Sequence, residues 1–197
     1  MASSAGHRSA RTAGAGTGPA GPDATGASTR GSAGSSAPGS AGGALARELA
    51  GLLSPGQVVT EGPELRVALS DGTASQGVEG SADLLALPGS TDQVAAVLGW
   101  CYSHDVPVVA RGGGTGLAAG AVPHGGVVLS TERLAAVRSI EPGLWRMEAE
   151  AGVRTSTVHR VALENGLMFP PDPGAGEQST LGGNIATNAG GPHTFKY

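Results

Sequence analysis

The stretch Pro107-Val-Val-Ala-Arg-Gly-Gly-Gly-Thr-Gly-Leu-Ala-Ala-Gly-Ala-Val-Pro123, followed by Gly125-Gly-Val-Val-Leu129, decides the fold. A short Val/Val/Ala strand delivers the chain to Arg111, and three consecutive glycines follow. Glycine has no Cβ and tolerates positive φ, so successive N–H groups there can turn toward one point and a ligand can approach the main chain closely. Such a concavity suits an anion. Charge-assisted N–H bonds are worth about 1.5–3 kcal/mol each, so three or four fix a pair of phosphates without lysine. Arg111 either adds charge or pairs with a nearby acid. On the glycine run alone, a plain flexible turn is the competing reading.

The same segment offers a rival. Gly114-Thr-Gly-Leu-Ala-Ala119 fits the G-x-G-x-x-G/A dinucleotide fingerprint, with Glu132 as the candidate ribose acid. That unit needs an amphipathic helix directly after the glycines. Residues 117–126 contain Gly120, Pro123, Gly125 and Gly126, which leaves no room for three turns. A Walker loop fails outright, since no Gly-Lys-Ser/Thr follows.

Working outward, residues 84–87 read as a short apolar strand turned by Pro88-Gly89. Ser90 or Thr91 then caps a helix reaching about His104, with Val94, Val97, Leu98 and Cys101 as its apolar stripe. With residues 107–110 this makes a β-α-β unit. Further upstream, Leu45, Leu49, Leu52 and Leu53 recur at helical spacing until Ser54-Pro55-Gly56. Val58-Val59 reads as a short strand, and one helical turn falls around residues 64–69. Residues 1–43 are Gly, Ala, Ser and Thr with scattered Pro and almost no large apolar side chain. They cannot offset a backbone ordering cost of about 1–2 kcal/mol per residue, so they are expected to be disordered. Downstream, 127–129 reads as a strand, 137–140 and 145–149 as strands flanking Glu141-Pro-Gly143, and Thr155 opens a helix that Asn165-Gly166 ends. The remainder, 169–191, reads as loop.

A formal net charge of -4 argues against a nucleic-acid partner and implies that bound phosphate is held mainly by backbone N–H groups. One cysteine, Cys101, excludes an internal disulfide and a Cys-rich metal site, and the five histidines lack metal-ligand spacing. No transmembrane run or secretory signal is seen, so the expected location is cytoplasmic.

A second small-residue loop raises the odds of a ligand. Thr180, Gly182, Gly183, Asn184, Asn188 and Gly190 combine small residues with amides that donate and accept. Two Gly/Asn loops separated by a strand-strand-helix unit point to one extended ligand held from both sides. A surface loop of turn residues explains the glycines but not the apolar Leu181, Ile185 and Ala186 among them.

These residues carry a resemblance. The stretch 107–129 resembles the first flavin loop of the vanillyl-alcohol oxidase / p-cresol methylhydroxylase (PCMH) family. Phe169-Pro-Pro-Asp-Pro173, Thr180-Leu-Gly-Gly-Asn-Ile-Ala-Thr-Asn-Ala-Gly-Gly191 and Lys196-Tyr197 resemble its second. Within that family the pattern is most similar to the FAD subunit of glycolate oxidase and its D-lactate dehydrogenase relatives. The resemblance implies an α+β fold, namely the first subdomain of a PCMH-type FAD-binding domain over 81–197, incomplete at its C-terminal end. A lead-in over 44–80 and the tail 1–43 precede it. It implies that Arg111, Gly112, Gly113, Gly114, Thr115 and Gly116 lie on the FAD pyrophosphate. Pro171, Asp172, Thr180, Gly182, Gly183, Asn184, Asn188 and Gly190 would lie along the ribityl, the pyrophosphate or the ring.

The sequence departs from the family at two points. Some relatives attach the flavin covalently through a histidine in the first loop; Thr115 stands at that place, so FAD is expected to be non-covalent. The chain also stops at Tyr197, where the family continues into a second flavin subdomain and a substrate domain, so a fragment is expected and no catalytic residue is assigned. The implied activity is oxidation of a small 2-hydroxy acid by an FAD-dependent oxidoreductase. The alternative is a nucleotide-binding or interaction module without catalysis.

Overall fold

The computed structural model describes residues 41–197; apart from its last three residues, the expected disordered tail lies outside them. The first helix, α1, spans Ala41–Ala50, starting three residues before the Ala44 onset read from the leucine spacing. It buries Leu45 and Leu49, with Leu53 just beyond it, while Leu52 turns toward solvent.

Four short strands form one sheet in the order β1-β2-β4-β3. They are β1 (Val58–Val59), β2 (Leu84–Ala86), β3 (Val108–Arg111) and β4 (Val127–Ser130). Strands β2, β4 and β3 run parallel, with Leu84 and Val108 both opposite Val127, and β1 pairs antiparallel with β2. Helix α3 (Thr91–Ser103) makes the crossover from β2 to β3. Ser90 caps it, its Oγ accepting the Gln93 N–H at 3.2 Å. Helix α2 (Pro63–Ala68) lies in the lead-in.

The alternation of strand side chains explains the unbroken apolar runs. Leu84, Ala86, Val127 and Leu129 face α1 and α3, where Leu49, Val97 and Cys101 are fully buried. Leu85, Leu87 and Val128 face the opposite way onto Leu65 and Ala68 of α2. A sheet covered on both faces needs both faces apolar. Each fully buried Leu or Val contributes about 1.5–3 kcal/mol, which lets three- and four-residue strands hold. One expectation fails in this layer: Leu98 is 44% exposed, at the rim of α3 instead of in its stripe.

Beyond the sheet, β5 (Val137–Glu141) and β6 (Arg146–Ala149) form an antiparallel ribbon. Trp145, expected to open the second strand, is instead a left-handed turn residue with φ 54° and is largely exposed. Helix α4 (Thr155–Glu164) follows and ends at Gly166 with φ 71°, as the Asn-Gly stop implies.

The stretch read as loop over 169–191 contains a helix, α5 (Leu181–Thr187). Two adjacent glycines cost such a helix about 2 kcal/mol in propensity, which hides it from a periodicity reading. Its ends supply what its interior lacks. The Thr180 hydroxyl accepts the Gly183 N–H, and Asn188 closes the helix in the left-handed conformation with φ 53°.

Candidate functional site

The glycine loop leaves the carboxyl end of β3. No helix follows it: residues 112–126 run through bends and turns into β4, as the rejection of a Rossmann unit requires. Among 112–116 only Gly114 takes a positive φ, 65°. The other glycines answer to close approach. A Cβ at Gly112 would lie 2.5 Å from Thr180 Oγ1, and one at Gly113 would overlap the Gln178 carbonyl oxygen. The two small-residue loops expected to face each other are therefore in direct contact. Gly116 differs, since a Cβ there would meet nothing within 4 Å. Neither its conformation nor its neighbours within the chain demand glycine.

The contact between the loops is built by a chain of backbone bonds. Thr131 N–H donates to the Arg111 carbonyl, and Gly152 N–H to the Leu134 carbonyl. Leu181 and Gly182 donate in turn to the carbonyls of Val153 and Ala151, both at 2.8 Å. The turn between β6 and α4 thus carries the second loop and presses it on the first. A Cβ at Gly182 would come 2.7 Å from Ala151 Cβ, which accounts for that glycine.

This stitching separates the two loops chemically. The first N–H groups of α5 are all taken: Leu181 and Gly182 by carbonyls, Gly183 by Thr180 Oγ1, Asn184 by the Thr180 carbonyl. The Asn184 side chain is buried and donates to Thr155 Oγ1 at 2.7 Å, and that hydroxyl also bonds Ser179 Oγ at 2.7 Å. Thr180, Gly182, Gly183, Asn184 and Asn188 thus have duties within the fold. By contrast, the backbone N–H groups of residues 113–117 donate no hydrogen bond to any described residue. Donors without an internal partner are left to solvent or to a ligand.

The Arg111 side chain folds back against Gly114. Its Nη1 donates to the Ser70 carbonyl, and the guanidinium lies where a Cβ on Gly114 would be. Burial lowers its pKa, while the charges of Asp71 and Glu132 oppose that shift. Asp71 is itself buried, its Oδ1 accepting both the Thr73 N–H at 2.9 Å and the Thr73 hydroxyl at 2.7 Å. Its Oδ2 has no hydrogen-bond partner among the described residues. Burial acts to raise the Asp71 pKa, but the Thr73 bonds, the field of the Ala121 N–H and the Arg111 charge outweigh it, leaving the carboxyl below its ordinary value. The hydrogen bond that the geometry gives Arg111 goes to a carbonyl.

The Pro-rich segment sits on the second loop's far end. Asp172 N–H donates to the Gly190 carbonyl at 2.8 Å, and Gly191 crosses the Asp172–Pro173 peptide with no room for a Cβ. Two histidines hold the preceding carbonyls: His159 Nε2 donates to Pro171 at 2.7 Å and His193 Nδ1 to Pro170 at 3.1 Å. His159 was not singled out from the sequence. Its bond to a carbonyl 12 residues further along the chain has no sequence signature.

The FAD binding domain family model matches residues 82–197. The chain is 40% identical over 115 residues to glycolate oxidase subunit GlcD of Escherichia coli (strain K12), covering 58% of this chain and 23% of that protein. It is 43% identical over 111 residues to D-lactate dehydrogenase of Archaeoglobus fulgidus, covering 56% and 25%. To D-2-hydroxyglutarate dehydrogenase of Xanthomonas citri pv. viticola it is 43% identical over 114 residues, covering 57% and 24%. The chain thus spans about a quarter of the length of these relatives. Among solved structures, an alkyldihydroxyacetonephosphate synthase superposes with TM-score 0.65 at 22% identity, covering 74% of this chain and 31% of that one. Substrate-bound p-cresol methylhydroxylase gives 0.62 at 19% identity, covering 73% and 28%. These two show that the fold is shared.

Proposed function

Because this chain belongs to the FAD binding domain family and takes FAD as its cofactor, we propose that the backbone N–H groups of residues 113–117 hold the FAD pyrophosphate, within an FAD-dependent oxidoreductase that oxidises a small 2-hydroxy acid. The observation that carries the reading is the run of unpartnered donors beside a glycine that the protein's own packing does not require. A chain of net charge -4 with the Arg111 guanidinium turned toward Ser70 depends on such dipoles to hold phosphate. The donor set suits a pyrophosphate: neutral, successive in the chain and without lysine.

FAD, when bound, supplies the two-electron acceptor for the oxidation. The protein's part over these residues is grip and placement. Loop 112–117 holds the phosphates, and the second loop, with Pro171, Asp172, Thr180, Gly182, Gly183, Asn184, Asn188 and Gly190, offers the adjoining surface. The 2-hydroxy-acid reading is supported by the names of the relatives, which are two dehydrogenases and an oxidase of that substrate class. Non-covalent attachment is supported by Thr115. We further propose that residues 44–80 form a lead-in and 81–197 the flavin-binding part. A cytoplasmic location belongs to the same proposal, supported by a lone buried thiol, Cys101. No helix among the described residues is long and apolar enough to cross a membrane.

The test is a competition. FAD titrated into the 197-residue chain should bind, ADP should displace it, and riboflavin, which lacks the pyrophosphate, should bind far more weakly. Riboflavin binding as tightly as FAD, with ADP without effect, would remove the pyrophosphate from the glycine loop.

A further inference from the structure

Three residues upstream of the family-matched region lie against the back of the glycine loop. The Ser70 carbonyl accepts from the Arg111 guanidinium. Asp71, the next residue, is buried, with one oxygen on Thr73 and the other without a hydrogen-bond partner among the described residues. A Cβ on Gly72 would lie 2.6 Å from the Gly116 carbonyl oxygen and 3.0 Å from that of Thr115. Those two oxygens therefore face Gly72. In a trans, planar peptide the C=O and the following N–H point in opposite directions. The N–H groups of Gly116 and Leu117 are accordingly directed away from Gly72, to the side where no described residue accepts them.

We propose that residues 70–72 and the Arg111 side chain are positioning residues for the phosphate grip, fixing the loop from behind so that its donors are aligned before FAD arrives. This rests on the reading that the loop holds the pyrophosphate. Arg111 then acts through its bond to Ser70 and not as a phosphate ligand. A donor array that need not be ordered on binding keeps the affinity that ordering would otherwise cost.

Two variants test it in the 197-residue chain, with Val97→Ala in the core between α3 and the sheet as a destabilised control. Gly72→Ala pushes on the Gly116 carbonyl. Arg111→Lys keeps the charge but replaces the guanidinium fork with a single ammonium. Both should weaken FAD binding by about tenfold or more, the scale of one lost interaction. Val97→Ala should lower the thermal midpoint yet leave the dissociation constant within about twofold, because its core cluster holds no residue of 112–117. Full retention of affinity by Arg111→Lys would overturn the proposal, since a phosphate-binding charge is rescued by lysine and a brace is not. Equal losses in Val97→Ala and Gly72→Ala would overturn it too.

A readout without FAD separates the brace from the pyrophosphate reading. Trypsin should cut the Arg111–Gly112 bond slowly in the unvaried chain and faster in Gly72→Ala; equal rates would overturn the brace. If the unvaried chain binds no FAD, the pyrophosphate reading falls, while the cleavage rates still decide whether residues 70–72 hold the loop.

Discussion

The Asn184 side-chain amide donates to the Thr155 hydroxyl at 2.7 Å, tying α5 to the start of α4 inside the protein. The amide thus has a partner of its own within the chain. Asn184→Ala should therefore lower the stability of the FAD-free chain by about 1–3 kcal/mol, the range for leaving a buried hydroxyl with one partner fewer. Urea unfolding without FAD measures this. Unchanged stability would mean that the amide serves only the ligand.

Gly113 meets the backbone of residues 178–179 so closely that any Cβ overlaps it. Gly113→Val should part the two loops, costing at least about 1–3 kcal/mol of stability as overpacking does and weakening FAD in the same protein. If affinity fell at constant stability, the glycine would be there for the ligand alone.

Thr115 offers no nucleophile of histidine's kind, so precipitation with acid should leave the flavin in the supernatant. Flavin colour remaining in the washed pellet of the flavin-loaded protein would show covalent attachment through some other side chain.

Asp71 gives the fold an acid dependence. Its folded pKa lies below the ordinary 3.8, so its contribution is fully present above that value and is lost as pH falls through the folded pKa. Urea midpoints measured between about pH 5 and pH 2 should fall for the native chain. They should fall less steeply for Asp71→Asn, which cannot titrate there. Parallel curves would assign the acid loss to other carboxylates.

Much of this was legible in the sequence because the governing interactions are local. The β2-α3-β3 unit follows from an apolar run, a Pro-Gly turn, a serine cap and a second apolar run, each close to the next in the chain. The glycine loop is legible for the same reason, and so is the absence of a helix after it. The misses come from long-range packing. α5 has poor internal propensity and exists because Val153 and Ala151 carbonyls receive its first N–H groups and Gly182 packs on Ala151. Its two ends, Thr180 and Asn188, were readable as caps, and the glycine pair between them masked that signal. The bond that Arg111 makes was not readable, because a carbonyl 41 residues earlier in the chain carries no sequence signature.

The sheet order puts β4 between β2 and β3, although β3 precedes β4 along the chain. A ribosome therefore delivers both flanking strands, and the whole glycine loop, before the strand that joins them. The back brace spans 41 residues and the Asn184–Thr155 tie another 29, and each such closure costs chain entropy before its contacts repay it. Helix α3 and the β5–β6 ribbon can form from neighbours alone. The bond from Arg111 to Ser70 cannot, because its two residues lie 41 apart in the chain.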